Sequence, residues 1–168
     1  MPVFDLGELR YHDDVLVLLV RHNILALAWY NAPRAGHLLE VMRQVHTVHR
    51  ATQIAPCLYN LVIRGTPRFP DEVREEGARL VREMADYKST TAHVIEVDGL
   101  AGTAARMFLS TMVLLARNKP NVRVFGDHRE AAGWIEASNG PVSGITQSDL
   151  LRMYTHLKSM EPKATPGG

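Results

Sequence analysis

Thiol chemistry is nearly absent from this chain: its one cysteine, Cys57, cannot form an internal disulfide or supply a cysteine pair to a metal. With no activating base evident beside it, Cys57 reads as a small core residue and not a nucleophile. Aromatic residues make up only 7% of the chain, Trp29, Tyr87 and Trp134 among them. They read as core anchors, not as stacking platforms for bases. An excess of one charge is missing too. The 19 Lys+Arg against 18 Asp+Glu leave a formal net charge of +1, which argues against a broad basic face for nucleic acid or an anionic membrane. The apolar runs Val15 to Val20 and Ile24 to Tyr30 fall far short of the roughly 20 residues a spanning helix needs. The N-terminus carries no cationic, apolar, small-residue leader, so the expected location is cytoplasmic.

What is present is enough apolar material for a core, 46% of 168 residues, and a pattern that alternates strand and helix. The expectation is one domain over residues 1–160 and a disordered tail over 161–168. The central stretch runs from His93 to Trp134. Val94, Ile95 and Val97 form a β-branched strand, Gly99 and Gly102 lie in a turn, and Phe108, Leu109, Met112 and Leu115 recur at helical spacing. Val122 to Phe125 is then a short strand, and Asp127 caps a helix that carries Ala131, Trp134 and Ile135. Trp134 is expected to anchor that helix against Phe125.

Upstream, Pro2 to Asp14 offers an edge strand. Val15 to Val20 and Ile24 to Tyr30 read as two strands joined at His22-Asn23, with the asparagine supplying the left-handed conformation. Asn31-Ala-Pro33 opens a helix along Leu38, Val41, Met42 and Val45. Cys57 to Ile63 is the next strand. Asp71 to Tyr87 is a charged amphipathic helix, with Val73, Ala78, Leu80, Val81 and Met84 inward. Residues 138–144 read as a loop, and Ser148 caps a last helix through Leu150, Leu151, Tyr154 and Leu157. This order predicts an α/β fold: a mostly parallel central sheet of about five strands with packed helices, its first pair antiparallel, and an extra piece at each terminus.

In that order of elements, and in HVIEVDGLAGTAARMFL and VRVFGDHREAAGWI, the chain resembles the STAS domain family over roughly residues 14 to 138. Within it, the likeness is to the anti-sigma-factor-antagonist-like branch of stand-alone bacterial proteins. The resemblance implies a regulatory protein without catalysis or cofactor, docking on a protein partner, or on a second copy of itself, through the turn before the third helix. The matching positions are Asp98, Gly99, Leu100, Gly102, Thr103 and Arg106. Phosphoswitch members carry a serine or threonine in that turn. Thr103 is the hydroxyl available, although the family's Asp-Ser-Gly pattern is absent. Thr103 therefore stands as the phosphorylation candidate, with an ordinary helix cap as the plainer reading.

A different class of function would use the C-terminal ends of the strands, where open α/β sheets bind ligands. Arg64, Asp98 and Asp127 are the polar groups that could converge there as a small-ligand or enzymatic site. His46 and His49 share one helix face with His37 nearby, but three or four convergent ligands are not in evidence, so exposed histidines are expected. The two glycines of the central turn do not make a dinucleotide fingerprint. The GTPRFP segment after the third strand reads as a rigid loop.

Overall fold

The computed structural model describes residues 5–65, 68–115 and 121–163, with the side chains of residues 112, 113 and 115 left aside. Six strands form one sheet: β1 (Glu8–His12), β2 (Leu16–Arg21), β3 (Ile24–Trp29), β4 (Cys57–Val62), β5 (Thr90–Ile95) and β6 (Asn121–Phe125). Spatial order equals chain order. The β1–β2 and β2–β3 pairs are antiparallel, and β3–β4, β4–β5 and β5–β6 are parallel. Five helices complete the described residues: α1 (Ala35–Thr52), α2 (Asp71–Asp86), α3 (Gly99–Leu115), α4 (His128–Ser143) and α5 (Gln147–Ser159). The mostly parallel α/β class is as expected. The sixth strand comes from the N-terminal piece, at the sheet edge.

Period-two alternation sends the two faces of the sheet to separate cores. On one face Leu16, Leu18, Leu25, Leu27, Trp29 and Leu58 meet the α1 stripe of Leu38, Val41, Val45 and Val48 and the α2 anchors Val73 and Met84. On the other, Val17, Ala26, Ala28, Tyr59, Cys57 and Val94 meet Ala131, Ile135, Leu150, Met153 and Leu157 of α4 and α5. The small alanines of β3 lie under α5, while α4 packs over β4 and β5. α3 packs beside α2 and over β5 and β6. The outward face of α2 carries pairs of the expected kind, Arg79 with Glu83 and Arg74 with Asp71.

Several local expectations are corrected. At the β2–β3 turn the left-handed residue is His22, φ 55°, not Asn23. Asn23 is instead fully buried, and its amide donates to the Ala55 carbonyl at 2.9 Å. Helix α1 starts three residues later than the Asn31-Ala-Pro33 signal, with Arg34 at the cap position, while the Asn31 side chain donates to the Asp14 carbonyl. Strand β5 begins at Thr90, and Thr90 and Thr91 are buried within it. Residues 138–143 continue α4 despite Pro141, and the cap of α5 is Thr146 rather than Ser148. Asp127 caps α4 as expected, accepting from the amides of Arg129 and Glu130. Trp134 leans on Phe125, ring centroids 5.6 Å apart, but it is only half-buried, with the Arg123 guanidinium 5.5 Å from its ring. At the C-terminus, Glu161 pairs with Arg64, and residues 164–168 of the expected tail lie outside the described residues.

Candidate functional site

Helix α3 begins at Gly99, so the expected turn is largely the first turn of the helix itself. Gly99 holds φ 70°, a left-handed entry that favours glycine. Asp98, Gly99, Leu100, Thr103 and Arg106 are all exposed, whereas Gly102 is buried. The reason is close contact: a Cβ on Gly102 would stand 1.8 Å from the Val97 carbonyl oxygen. Gly102 thus lets the helix lie directly on the strand end and turns Leu100 away from the body. Thr103 is not a cap. Its hydroxyl donates to the Gly99 carbonyl at 3.1 Å, one turn back inside the helix.

Further along α3 the inward side is Ala105, Phe108 and Leu109, with Phe108 stacked on Phe69 at 3.8 Å and 3°. The outward side mixes Thr103, Ala104, Arg106, Ser110 and Thr111 with large apolar residues. Leu100, Met107 and Leu114 are 90%, 67% and 85% exposed, and they recur every seven residues, close to two helical turns. These three form one stripe about 21 Å long by the helical rise. Between Gly99 and Leu115 Arg106 is the single charged residue. Large apolar side chains of a helix ordinarily face a core; among the described side chains of α3, Leu100, Met107 and Leu114 face water.

Arg64, Asp98 and Asp127 do not come together. Arg64 reaches toward Glu161 at 3.4 Å and the Tyr30 and Pro162 carbonyls, Asp127 is taken up in capping α4, and Asp98 is exposed beside α3. The strand ends nevertheless hold two polar groupings that the sequence analysis did not single out. On the α4–α5 face, Glu96 accepts from Tyr154 Oη at 2.7 Å and lies 2.9 Å from His128 Nδ1, and the His128 and Tyr154 rings stack at 3.8 Å. On the α1–α2–α3 face, a cavity of about 130 Å³ is walled almost wholly by apolar side chains of β3, β4 and the three helices. Trp29, Asn60 and His93 line it. Trp29 Nε1–H donates to Asn60 Oδ1 at 2.6 Å, and Asn60 Nδ2 lies 2.8 Å from His93 Nδ1. Burial lowers the His93 pKa to about 4, so the ring is neutral. The signal available in sequence was an Asn and a His in the middle of two strands, CLYNLV and TTAHVI.

The α1 histidines are not uniformly exposed. His37 is buried, its Nε2 2.9 Å from Asp13 and its Nδ1 accepting from the Arg34 amide; His46 meets Glu83 and Tyr87, and His49 lies against the Tyr87 ring. Cys57 is fully buried, and burial pushes its thiol well above the usual range. Among the described residues no group of three metal-ligating side chains comes together, and no helix is long and apolar enough to cross a membrane. Comparison with family models, with curated proteins and with solved structures found no match.

Proposed function

We propose that this chain is a non-catalytic docking module of the STAS type, regulatory in role, whose working surface is the outward face of α3. The observation that carries the reading is the stripe of Leu100, Met107 and Leu114, three large apolar side chains held in water at heptad spacing. Such spacing suits a partner helix laid along α3, each side chain seated between those of the neighbour. A partner with a carboxylate opposite Arg106 fits better than a second copy. Two-fold pairing of α3 about Met107 would bring two Arg106 side chains together with no acid on the helix to separate them. The α/β class, a sheet whose last three pairings are parallel, is compatible with that reading.

Affinity capture from the native cell extract tests this, with Leu100→Asp and Met107→Glu beside the wild type. Both substitutions are at exposed positions and should change stability by no more than about 0.5 kcal/mol. Each should lose a stoichiometric partner, while Leu9→Glu, on the opposite edge of the sheet, should keep it. Unchanged capture by both α3 variants would refute the docking face. A wild-type dimer in sedimentation velocity, dissolved by Met107→Glu, would make a second copy the partner.

A further inference from the structure

The cavity between the sheet and helices α1, α2 and α3 is lined by one imidazole, that of His93. Trp29 Nε1–H can only donate, so the Asn60 atom facing it is the carbonyl oxygen. The Asn60 amide nitrogen is then the donor to His93, which leaves His93 Nδ1 as an acceptor without a proton. In a neutral imidazole the proton must lie on Nε2, while the ring's partner among the described residues, Asn60, is on the Nδ1 side. Three adjacent strands therefore cooperate to hold one imidazole in one tautomer, in a residue that lines an apolar cavity.

Each property of the site narrows the ligand. The volume, about 130 Å³, is close to that of engineered apolar cavities that admit a single benzene-sized ring. Walls of Leu27, Val41, Leu58, Val73, Leu80 and Phe108 favour an uncharged body. The neutral, donor-only Nε2–H asks for one acceptor on that body. We propose that this cavity is a binding site for a neutral, monocyclic, carbonyl-bearing small molecule, with its carbonyl oxygen accepting from His93 Nε2–H and its ring against Phe108 and Leu80. The site is independent of the α3 stripe as a surface, yet Ala105, Phe108 and Leu109 of the same helix form one wall.

Cyclohexanone and toluene, similar in size, differ in whether they bring an acceptor, so they probe the donor without mutating it. Titrated into ¹⁵N-labelled protein, cyclohexanone should saturably shift the His93 imidazole and Trp29 indole resonances, and should bind at least tenfold more tightly than toluene. Ala105→Phe, which fills the cavity from α3, should abolish both titrations while preserving a dispersed spectrum. Should that variant fail to fold, Val81→Phe fills the space from α2 instead. Equal or tighter binding of toluene would overturn the carbonyl assignment. Absence of saturable shifts with either compound at millimolar concentration, or cyclohexanone binding that survives the filling variant, would overturn the site.

Discussion

The His128 imidazole lies flat on the Tyr154 phenol, 3.8 Å between centroids and 6° between planes, and Glu96 makes a polar contact with each. One carboxylate from the end of β5 thus ties the start of α4 to α5. Tyr59 adds a strand below, its hydroxyl donating to the His128 carbonyl at 2.9 Å.

That arrangement makes alkaline behaviour predictable. Burial first, then the hydrogen bond to Glu96, raises the Tyr154 pKa; burial likewise raises Tyr59, and lifts Tyr30 to about 12. A folded pKa above the unfolded one means the contribution is fully present below the unfolded tyrosine value of about 10 and declines as pH rises through the folded values. Stability measured by urea should fall from about pH 10 upward. Tyr154→Phe should cost about 1 kcal/mol at neutral pH and make the alkaline decline shallower. A decline of unchanged slope would mean that Tyr154 does not contribute to it.

Acid should act through Asp13. Burial disfavours its charge, but the amides of Leu16 and Val15, the Tyr11 hydroxyl and His37 outweigh this, and the carboxyl is held far below the usual carboxylate range. The sign is opposite to that of the tyrosines: a depressed folded pKa stabilises above the unfolded value of about 3.9, and the contribution is lost as pH falls below it. Asp13→Ala should cost about 1–3 kcal/mol near neutral pH by stranding those donors. It should also flatten the acid limb below about pH 4, as followed by far-UV circular dichroism.

Gly102→Ala is expected to destabilise although alanine is the better helix former by about 1 kcal/mol. The new methyl would meet the Val97 carbonyl, a backbone atom that cannot rotate aside, so α3 must lift from the strand end. Overpacking of this kind costs about 1–3 kcal/mol, and a fall in melting temperature with faster amide exchange along α3 should follow. A gain in stability would show that the helix end yields freely.

For Trp134→Ala the half-burial lowers the expected cost from the 3–5 kcal/mol typical of buried aromatics to about 2 kcal/mol. Chemical denaturation of the variant measures it directly.

Elements whose signal is periodicity were legible. The Val15–Val20 run, the stripe Leu38-Val41-Met42-Val45 and the amphipathic α2 all occur where their spacing put them. Boundaries set by competition between distant partners were not. Asn23 looks like a turn residue, but its amide is drawn into the core by Ala55 and Asn139, which leaves His22 to take the left-handed position. Pro141 reads as a break, yet α4 carries through it to Gly144, a left-handed cap at φ 70°. In the candidate turn Leu100 could equally pack inward or face a partner on sequence alone; it is exposed, as is Arg106. The helical state of that turn, and the pairing of Asn60 with His93 from different strands, depend on register between segments 33 residues apart.

Because every strand neighbours its predecessor in sequence, no strand of this sheet has to be inserted between two that are already paired. Pairing can propagate outward from the β2–β3 hairpin in the direction of synthesis, each loop closure being short compared with that of an interleaved sheet. The helix layers do not follow the same schedule. α1 and α2 arrive between the strands they bridge, whereas α4 and α5 come after the last strand, so the face bearing Ala26, Ala28, Tyr59 and Val94 stays uncovered until residues 128–159 have emerged. A nascent or truncated chain lacking that segment is a nearly complete sheet with one open oily side. Its hazard is aggregation, and chaperone dependence should concentrate in that interval of synthesis.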